Sequence, residues 1–361
     1  MATSPANLSL FPVPKPAPLP PEPATELVGI ARLAASSPLA AEKRGTEYFL
    51  LPVRSILNRC DSPRMPFEWT INPYRGCEFG CRYCYARYTH EYMELSPADF
   101  EHKIYVKQNP AKMIARDLAV KLRPGESIAL GTATDPYQPA ESEYGVTRAI
   151  LEQVAAREGL MLSITTKSDR ILRDLDLLRR IAERSSLAIN MTVTTLRPRL
   201  ARLLEPRAPR PDLRLAAVRR LRKAGLAAGV FAMPLLPGIT DAAGDLDALA
   251  RAARDADAQW LGGQVLFLMP SSLKVFLPFL EEKFPKLARR YHEWYGRGGY
   301  MPEIYRKEIV ERFAAARARF GLASRPYAPE AFAQARPEPA PQLPLALAPR
   351  PAAQPASKRC A

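Results

Sequence analysis

From residue 69 onward the hydrophobic positions fall into two alternating patterns. Short continuous apolar runs occur at 69–74, 127–131, 160–165, 187–193, 226–233 and 260–268. Runs of this length, bounded by turn residues, read as strands buried on both faces. Between them, residues 147–157, 172–184, 212–224 and 241–256 carry leucine, isoleucine and alanine at helical spacing. Asn109 and Pro110 read as the cap and first turn of a helix running to about residue 122. Gly225 closes the helix 212–224. Repeated βα units imply a parallel sheet with helices outside it. Six main strands are fewer than the eight of a closed (β/α)8 barrel. The predicted architecture is therefore α/β, a partial, open (β/α)6 barrel. A shorter strand is predicted at 103–107, and further helices across 271–322.

The pattern fails at both ends. Residues 1–45 and 323–361 are rich in proline and alanine and lack the apolar side chains to build a core. They are expected to be disordered tails around a domain at 46–322, with 46–67 as a lead-in packed under the barrel. No stretch approaches the roughly 20 apolar residues of a membrane span. The longest, 226–239, is broken by Gly229, Pro234, Pro237 and Gly238. The first residues show no charged start followed by an apolar run, so a cytoplasmic location is expected.

In parallel βα folds, function gathers where strands end. Thr134 and Asp135 follow the second main strand, Lys167 and Ser168 the third, Thr194 and Thr195 the fourth, and Pro234 and Gly238 the fifth. After the first comes Cys77-Glu78-Phe79-Gly80-Cys81-Arg82-Tyr83-Cys84, which holds three of the five cysteines. Thiolates clustered this closely select zinc, copper(I) or an iron–sulfur cluster. Structural zinc takes four protein ligands, often as two Cys-x-x-Cys pairs. No second pair exists here, although a Cys3His site using His90 remains open on spacing. Iron–sulfur clusters usually take four cysteines; three would hold three irons of a four-iron cube and leave the fourth open. Three cysteines cannot all pair as disulfides, and nothing suggests secretion. Cys60 and Cys360 stand apart and suggest no role.

With Tyr83 just before its last cysteine, the loop resembles that of the radical S-adenosylmethionine (SAM) superfamily. Asn72-Pro73-Tyr74-Arg75-Gly76-Cys77 and Cys84-Tyr85-Ala86-Arg87 are similar to the spore photoproduct lyase-like branch, as are the stretches 131–141 and 203–207. The resemblance implies a partial barrel and a [4Fe–4S] cluster on Cys77, Cys81 and Cys84. Its open iron would chelate SAM, whose reductive cleavage releases a 5′-deoxyadenosyl radical. It also implies an electron donor such as flavodoxin or ferredoxin. By position it assigns Thr134 and Asp135 to the amino group and ribose of SAM, Lys167 to its carboxylate, Thr194 to the ribose and Tyr83 to the adenine. One departure stands out. Ala133 occupies the place where the namesake lyase carries the cysteine that returns a hydrogen atom, so the resemblance does not fix the substrate.

The net charge of +15 suits an anionic partner such as nucleic acid. The segment after Thr195 carries Arg197, Arg199, Arg202, Arg207 and Arg210. Guanidinium forks suit phosphate; the alternative is a solvated loop with Glu205 and Asp212 as local partners. Trp294, Tyr295, Tyr300 and Tyr305 lie among basic residues and would either stack bases or fill a helical core. The expectation is a radical SAM enzyme performing lyase or repair-like chemistry on nucleic acid. The alternatives are a radical enzyme acting on a peptide or small metabolite, and a non-catalytic, zinc-containing nucleic-acid-binding protein.

Overall fold

The computed structural model describes residues 27–62, 65–296 and 298–324. Its strands in chain order are β1 (Leu39–Lys43), β2 (Thr46–Leu51), β3 (Leu57–Arg59), β4 (Trp69–Ile71), β5 (Tyr74–Arg75), β6 (Lys103–Lys107), β7 (Ser127–Leu130), β8 (Met161–Thr166), β9 (Ser186–Thr192), β10 (Ala228–Leu235) and β11 (Leu261–Val265). They form a seven-stranded sheet, ordered β11-β10-β9-β8-β7-β4-β3, and a four-stranded sheet, ordered β1-β2-β6-β5.

In the larger sheet β4 and β7 to β11 all run parallel. These are the six main strands of the predicted open barrel. Only β3 is antiparallel, capping the β4 edge. Ile71 lies across from Leu130, Leu130 from Ile164 and Ile164 from Ile189, and all four are fully buried. Helices Val146–Ala155, Leu175–Arg184, Pro211–Lys223 and Ala243–Asp255 make the crossovers. Each buries one apolar stripe. Leu175–Arg184 turns Leu177, Leu178 and Ile181 inward and leaves Arg179, Arg180 and Arg184 in solvent. Emptying one such position, as in Ile181→Ala, costs about 2–5 kcal/mol. At the β11 edge the chain returns after its last helix, Glu303–Arg319, and the Leu261 N–H donates to Ala323 O at 2.9 Å.

Several local expectations need correction. Residues 29–43, placed by composition in the N-terminal tail, form helix Gly29–Ala35 and β1; residues 1–26 and 325–361, with Cys360, lie outside the described residues. The strand at 103–107 belongs to the smaller sheet. Asn109 does not cap its helix: its backbone is left-handed and its side chain makes no cap bond, while Pro110 does take the first turn. The basic segment after Thr195 is not all loop, since Pro198–Leu204 is a helix. Tyr295 is no base-stacking platform. It is buried and donates its hydroxyl to Leu266 O at 3.1 Å, while Tyr291 beside it donates to Pro237 O at 2.8 Å. Among the described residues no helix is long and apolar enough to cross a membrane.

Candidate active site

The cysteine loop leaves β4 through β5 and lies over the carboxyl ends of β7, β8 and β9. Its entrance turns on Gly76, at φ +83°; a Cβ there would meet Lys103 O at 2.7 Å and Phe100 O at 2.9 Å, so only glycine fits. The Gly76 carbonyl accepts from Thr134 Oγ1 at 2.7 Å and Gln138 Nε2 at 3.2 Å. The Cys77 N–H donates to Phe100 O at 2.9 Å, and the Glu78 N–H to Gln138 Oε1 at 2.9 Å. The Glu78 carboxylate accepts from the Ala140 N–H at 2.6 Å and the Tyr48 hydroxyl, on β2, at 2.9 Å. The smaller sheet thus clamps the loop from behind.

The second half of the loop is held by charge. Arg87 has no exposed side-chain surface. Its Nη2 donates to Cys81 O at 3.0 Å, and its Nη1 pairs with Glu101 at 2.5 Å. The Arg82 N–H donates to Leu204 O at 2.9 Å, and Ser272 Oγ to Cys84 O at 2.8 Å.

All three thiols are free, with Cys77 and Cys81 buried and Cys84 partly so. Burial pushes all three up as thiols, Cys81 to about 12, and each feels the charge of a neighbouring cysteine or acid. Thiolates in such a place need a strongly positive centre to hold them ionised. Among the described residues no three His, Cys, Asp or Glu side chains converge as for a single metal ion. His90, the fourth ligand of the zinc alternative, is instead turned to Lys103 O, 3.0 Å from Nε2, and packs edge-on to Phe100 and Tyr105. Three free thiols on one loop, without a fourth ligand, fit a multi-iron cube better than zinc.

The strand-end residues gather at two ends of this loop. Asp135 stands by Cys77, which its backbone N–H faces. Its carboxylate is already engaged, accepting from Thr166 Oγ1 at 2.7 Å and from the N–H groups of Lys167 at 2.7 Å and Tyr137 at 2.9 Å. Burial still lifts its pKa, with these donors acting against the rise. Thr134 is spent on Gly76 and also receives Gln138 Nε2 at 2.9 Å.

At the far end, Tyr83, Thr194 and Lys167 meet around Glu205. The Tyr83 hydroxyl donates to Glu205 Oε1, and the Thr194 hydroxyl reaches the same oxygen at 2.9 Å and Tyr83 Oη at 3.1 Å. Arg214 Nη2 stands 2.6 Å from Glu205 Oε2, with both side chains 1% exposed. Lys167 Nζ lies 4.0 Å from Glu205 and 5.9 Å from the Tyr83 ring centre. Burial opposes charge on Glu205, yet Arg214 and Lys167 hold it below the ordinary carboxylate value. Burial likewise opposes charge on Lys167, but Cys81 and Glu205 hold it above the ordinary lysine value. An ammonium facing the thiols is thereby preformed.

Sequence reasoning did not single out Arg214, one arginine among many, or the loop-bracing Gln138 and Tyr48. It reads Glu205 only as a local partner of the basic segment, not as the anchor of Arg214 and Lys167. Ser168, Thr195 and Gly238 serve local turns: Ser168 Oγ accepts from the Arg170 N–H, Thr195 Oγ1 from the Arg197 N–H, and the Gly238 N–H donates to Asp241. In the basic segment Arg197 pairs with Asp245 at 3.1 Å and Arg210 with Asp212 at 2.9 Å. Glu205 is not a partner of that segment.

A family model of the radical SAM superfamily matches residues 71–250. The uncharacterized protein Rv2578c of Mycobacterium tuberculosis is 36% identical over 312 residues, 85% of this chain and 90% of its own length. The uncharacterized protein MJ0683 of Methanocaldococcus jannaschii is 30% identical over 174 residues, 48% of this chain and 62% of its own. Among solved structures, a spore photoproduct lyase variant with bound AdoMet and dinucleoside spore photoproduct superposes with a TM-score of 0.58. It shares 18% identity over 77% of this chain and 80% of that one. That likeness concerns the fold, an open barrel with its cysteine loop over the strand ends. With the family match over the cysteine loop and the strands that follow it, the chain belongs to the radical SAM superfamily and is an enzyme.

Proposed function

We propose that this enzyme holds a [4Fe–4S] cluster through Cys77, Cys81 and Cys84 and cleaves SAM reductively beside it. The observation that carries the reading is three free thiols on one loop, two of them in the field of one preformed ammonium, Lys167, at the carboxyl ends of a parallel barrel. Bound together, cluster and SAM supply a one-electron cleavage of the sulfonium and a carbon radical able to abstract hydrogen. The chain's own part is positioning and exclusion of water. Lys167 offers a charge-assisted hydrogen bond to a carboxylate. Tyr83 presents a ring face for adenine, fixed by Glu205 and Thr194. Asp135 and Thr134 hold the entrance of the loop, the Asp135 N–H facing Cys77. The substrate in this reading is a nucleic acid, and the reaction is lyase or repair-like. It is supported by the +15 charge and by the fold shared with a lyase solved with a dinucleoside photoproduct. Ala133 lies part-buried at this strand end, its N–H bonded to Asn72 Oδ1 at 2.7 Å. Return of hydrogen from a thiol at this position is therefore outside the proposal.

The test is anaerobic reconstitution with iron and sulfide, then SAM and dithionite with and without single- and double-stranded oligonucleotides. About four irons per chain, visible cluster absorption and 5′-deoxyadenosine are expected. Each should disappear in Cys77→Ala, Cys81→Ala and Cys84→Ala and survive in Cys60→Ala. A triad variant with full iron and activity would refute the assignment. Enhanced 5′-deoxyadenosine formation with a peptide but not with any oligonucleotide would move the substrate to that class.

A further inference from the structure

The inner face of the barrel sheet is built unlike its outer face. The row Ile71, Leu130, Ile164 and Ile189 is fully buried under the crossover helices. Side chains alternate along a strand, so the neighbouring rows look inward. One of these is Thr70, Ala129, Ser163 and Ala188, paired in register across β4, β7, β8 and β9. The next is Thr165, Asn190 and Gly229, on β8, β9 and β10. A closed barrel fills its interior with bulky branched side chains. Here the inner rows hold small or polar residues with no charge among them, and Thr70, Ser163, Thr165 and Ala188 stay part-exposed. The interior is therefore a hollow with a polar, neutral wall. Lys167 continues the inner face of β8 two residues past Thr165 and stands in the field of Cys81, so the hollow opens toward the cysteine loop.

The hydrogen bonds of this wall leave two protons unspent. Trp260 Nε1 donates to Asn190 Oδ1 at 3.0 Å. An indole N–H can only donate, which fixes the Asn190 amide with its nitrogen turned the other way. That nitrogen donates to Ser163 Oγ at 2.9 Å and to Thr165 Oγ1 at 3.4 Å. Both hydroxyls are thus acceptors toward Asn190, and an amide nitrogen cannot receive their protons. Among the described residues no acceptor takes either proton. Two free hydroxyl donors therefore stand together on β8, while the one amide oxygen of the cluster is spent on Trp260. The Trp260 ring occupies the space left by Gly229, where a Cβ would meet it at 2.4 Å, and closes that corner of the hollow. Phe231, two residues beyond Gly229 on the same face, adds a part-exposed aromatic ring.

We infer that this hollow binds an uncharged ring bearing carbonyl oxygens, a base of the nucleic acid, through the hydroxyls of Ser163 and Thr165. The inference rests on the proposed radical function and specifies which part of the substrate enters the barrel. A wall with spare donors and no spare acceptor selects groups that can accept. A phosphate is disfavoured, because below Lys167 these rows carry no cation to offset the loss of its hydration. A peptide also carries carbonyls, but the net charge of +15 favours a polyanionic chain.

The probes are single strands of oligodeoxyuridylate, oligodeoxycytidylate and an abasic sugar-phosphate, of equal length, with the full-length reconstituted enzyme. Uracil has two ring carbonyls, and cytosine exchanges one of them for an amino group. Binding by fluorescence anisotropy should be tightest for the uridylate strand, weaker for the cytidylate and weakest for the abasic strand. Thr165→Val should lose about fivefold in affinity for the uridylate strand and bind the abasic strand as wild type does. Thr165→Ser, which keeps the hydroxyl, should retain the wild-type preference. Should Thr165→Val misfold, Ser163→Ala read against Ser163→Thr makes the same comparison. Wild type that binds the abasic strand as tightly as the uridylate strand overturns the inference. So does a Thr165→Val protein that keeps the preference, or a Thr165→Ser protein that loses it. Hydroxyl-dependent binding of a triglycine peptide and of no oligonucleotide overturns the base as the occupant. If wild type forms no 5′-deoxyadenosine from SAM and dithionite, the proposed function fails, and the base preference with its dependence on the hydroxyls still decides this inference.

Discussion

The two halves of the cysteine loop are buried alike and stabilised in opposite ways. Around the entrance, ionisable groups are driven toward neutrality. Burial raises Glu78 against its hydroxyl and amide partners and the weaker pull of Arg207 and Arg170, and lowers Lys107 on the neighbouring β6 to about 7, with Arg75 beside it adding to the fall. Around the exit, the same burial is overcome by opposite charges. Glu205 is held below and Lys167 and Arg214 above their ordinary values, because each has a charged partner within a few ångströms. Desolvation sets the cost in both places, and the partner decides the outcome. The entrance thereby becomes a neutral hinge pinned by hydrogen bonds, and the exit a charged floor on which an anionic cofactor group can rest.

The sharpest way to break this contrast is to strand a charge in the exit half. Arg214→Met leaves Glu205 buried with Lys167 as its remaining cation and should destabilise the fold by about 3 kcal/mol. Adding Glu205→Gln should recover part of the loss, and urea unfolding of both variants checks it. A single variant within 0.5 kcal/mol of wild type would show that the pair contributes little.

In the entrance half the corresponding change should stabilise. Lys107 has a folded value of about 7 against an ordinary 10.5. Between those values the unfolded chain binds the proton and the folded chain does not, so stability rises with pH across that window. The slope for one group is at most about 1.4 kcal/mol per pH unit. Lys107→Met should flatten that rise and unfold at higher urea at pH 7. A wild-type stability level across this window would contradict the assignment.

Lys167→Ala separates cofactor binding from folding. A lost charge-assisted hydrogen bond of roughly 1.5–3 kcal/mol predicts SAM binding weakened about tenfold or more, with iron content unchanged. Calorimetry with reconstituted protein reads both, and an unaltered affinity would remove Lys167 from the site. The smallest effect belongs to Tyr48→Phe. It deletes one neutral donor to Glu78, which keeps the Ala140 N–H, and should cost about 1 kcal/mol. A loss as large as that of Arg214→Met would erase the distinction between the halves.

The same contrast marks what could be read from the sequence. The barrel was legible because strands buried on both faces must be continuous apolar runs, and 127–131 or 187–193 admit few other readings. The cysteine loop was legible because spacing alone restricts thiolate chemistry. Of the smaller sheet only β6 was legible, as the predicted strand at 103–107; β1 is mostly exposed and β5 has two residues, so neither shows a period. The charged floor was hidden for another reason. Arginine is abundant here, and nothing local tells Arg214, aimed at Glu205 from the next helix, from the surface arginines around it. Asn109 misled because Asn suits both a helix cap and a left-handed turn, and the chain uses the second.

An open barrel meets a hazard that a closed one never does. Each free side offers a row of unpaired backbone groups, a template on which another chain can grow. One side is blunted by the three residues of β3. The other is covered by the returning segment at Ala323, beyond the last helix and just before the proline-rich terminus. The guard against self-association thus sits outside the βα repeat, in a stretch that a domain boundary drawn from composition would cut away. A shortened form ending at Arg319 would keep every residue of the proposed site and lose its latch, turning a catalytic scaffold into a seed for aggregates.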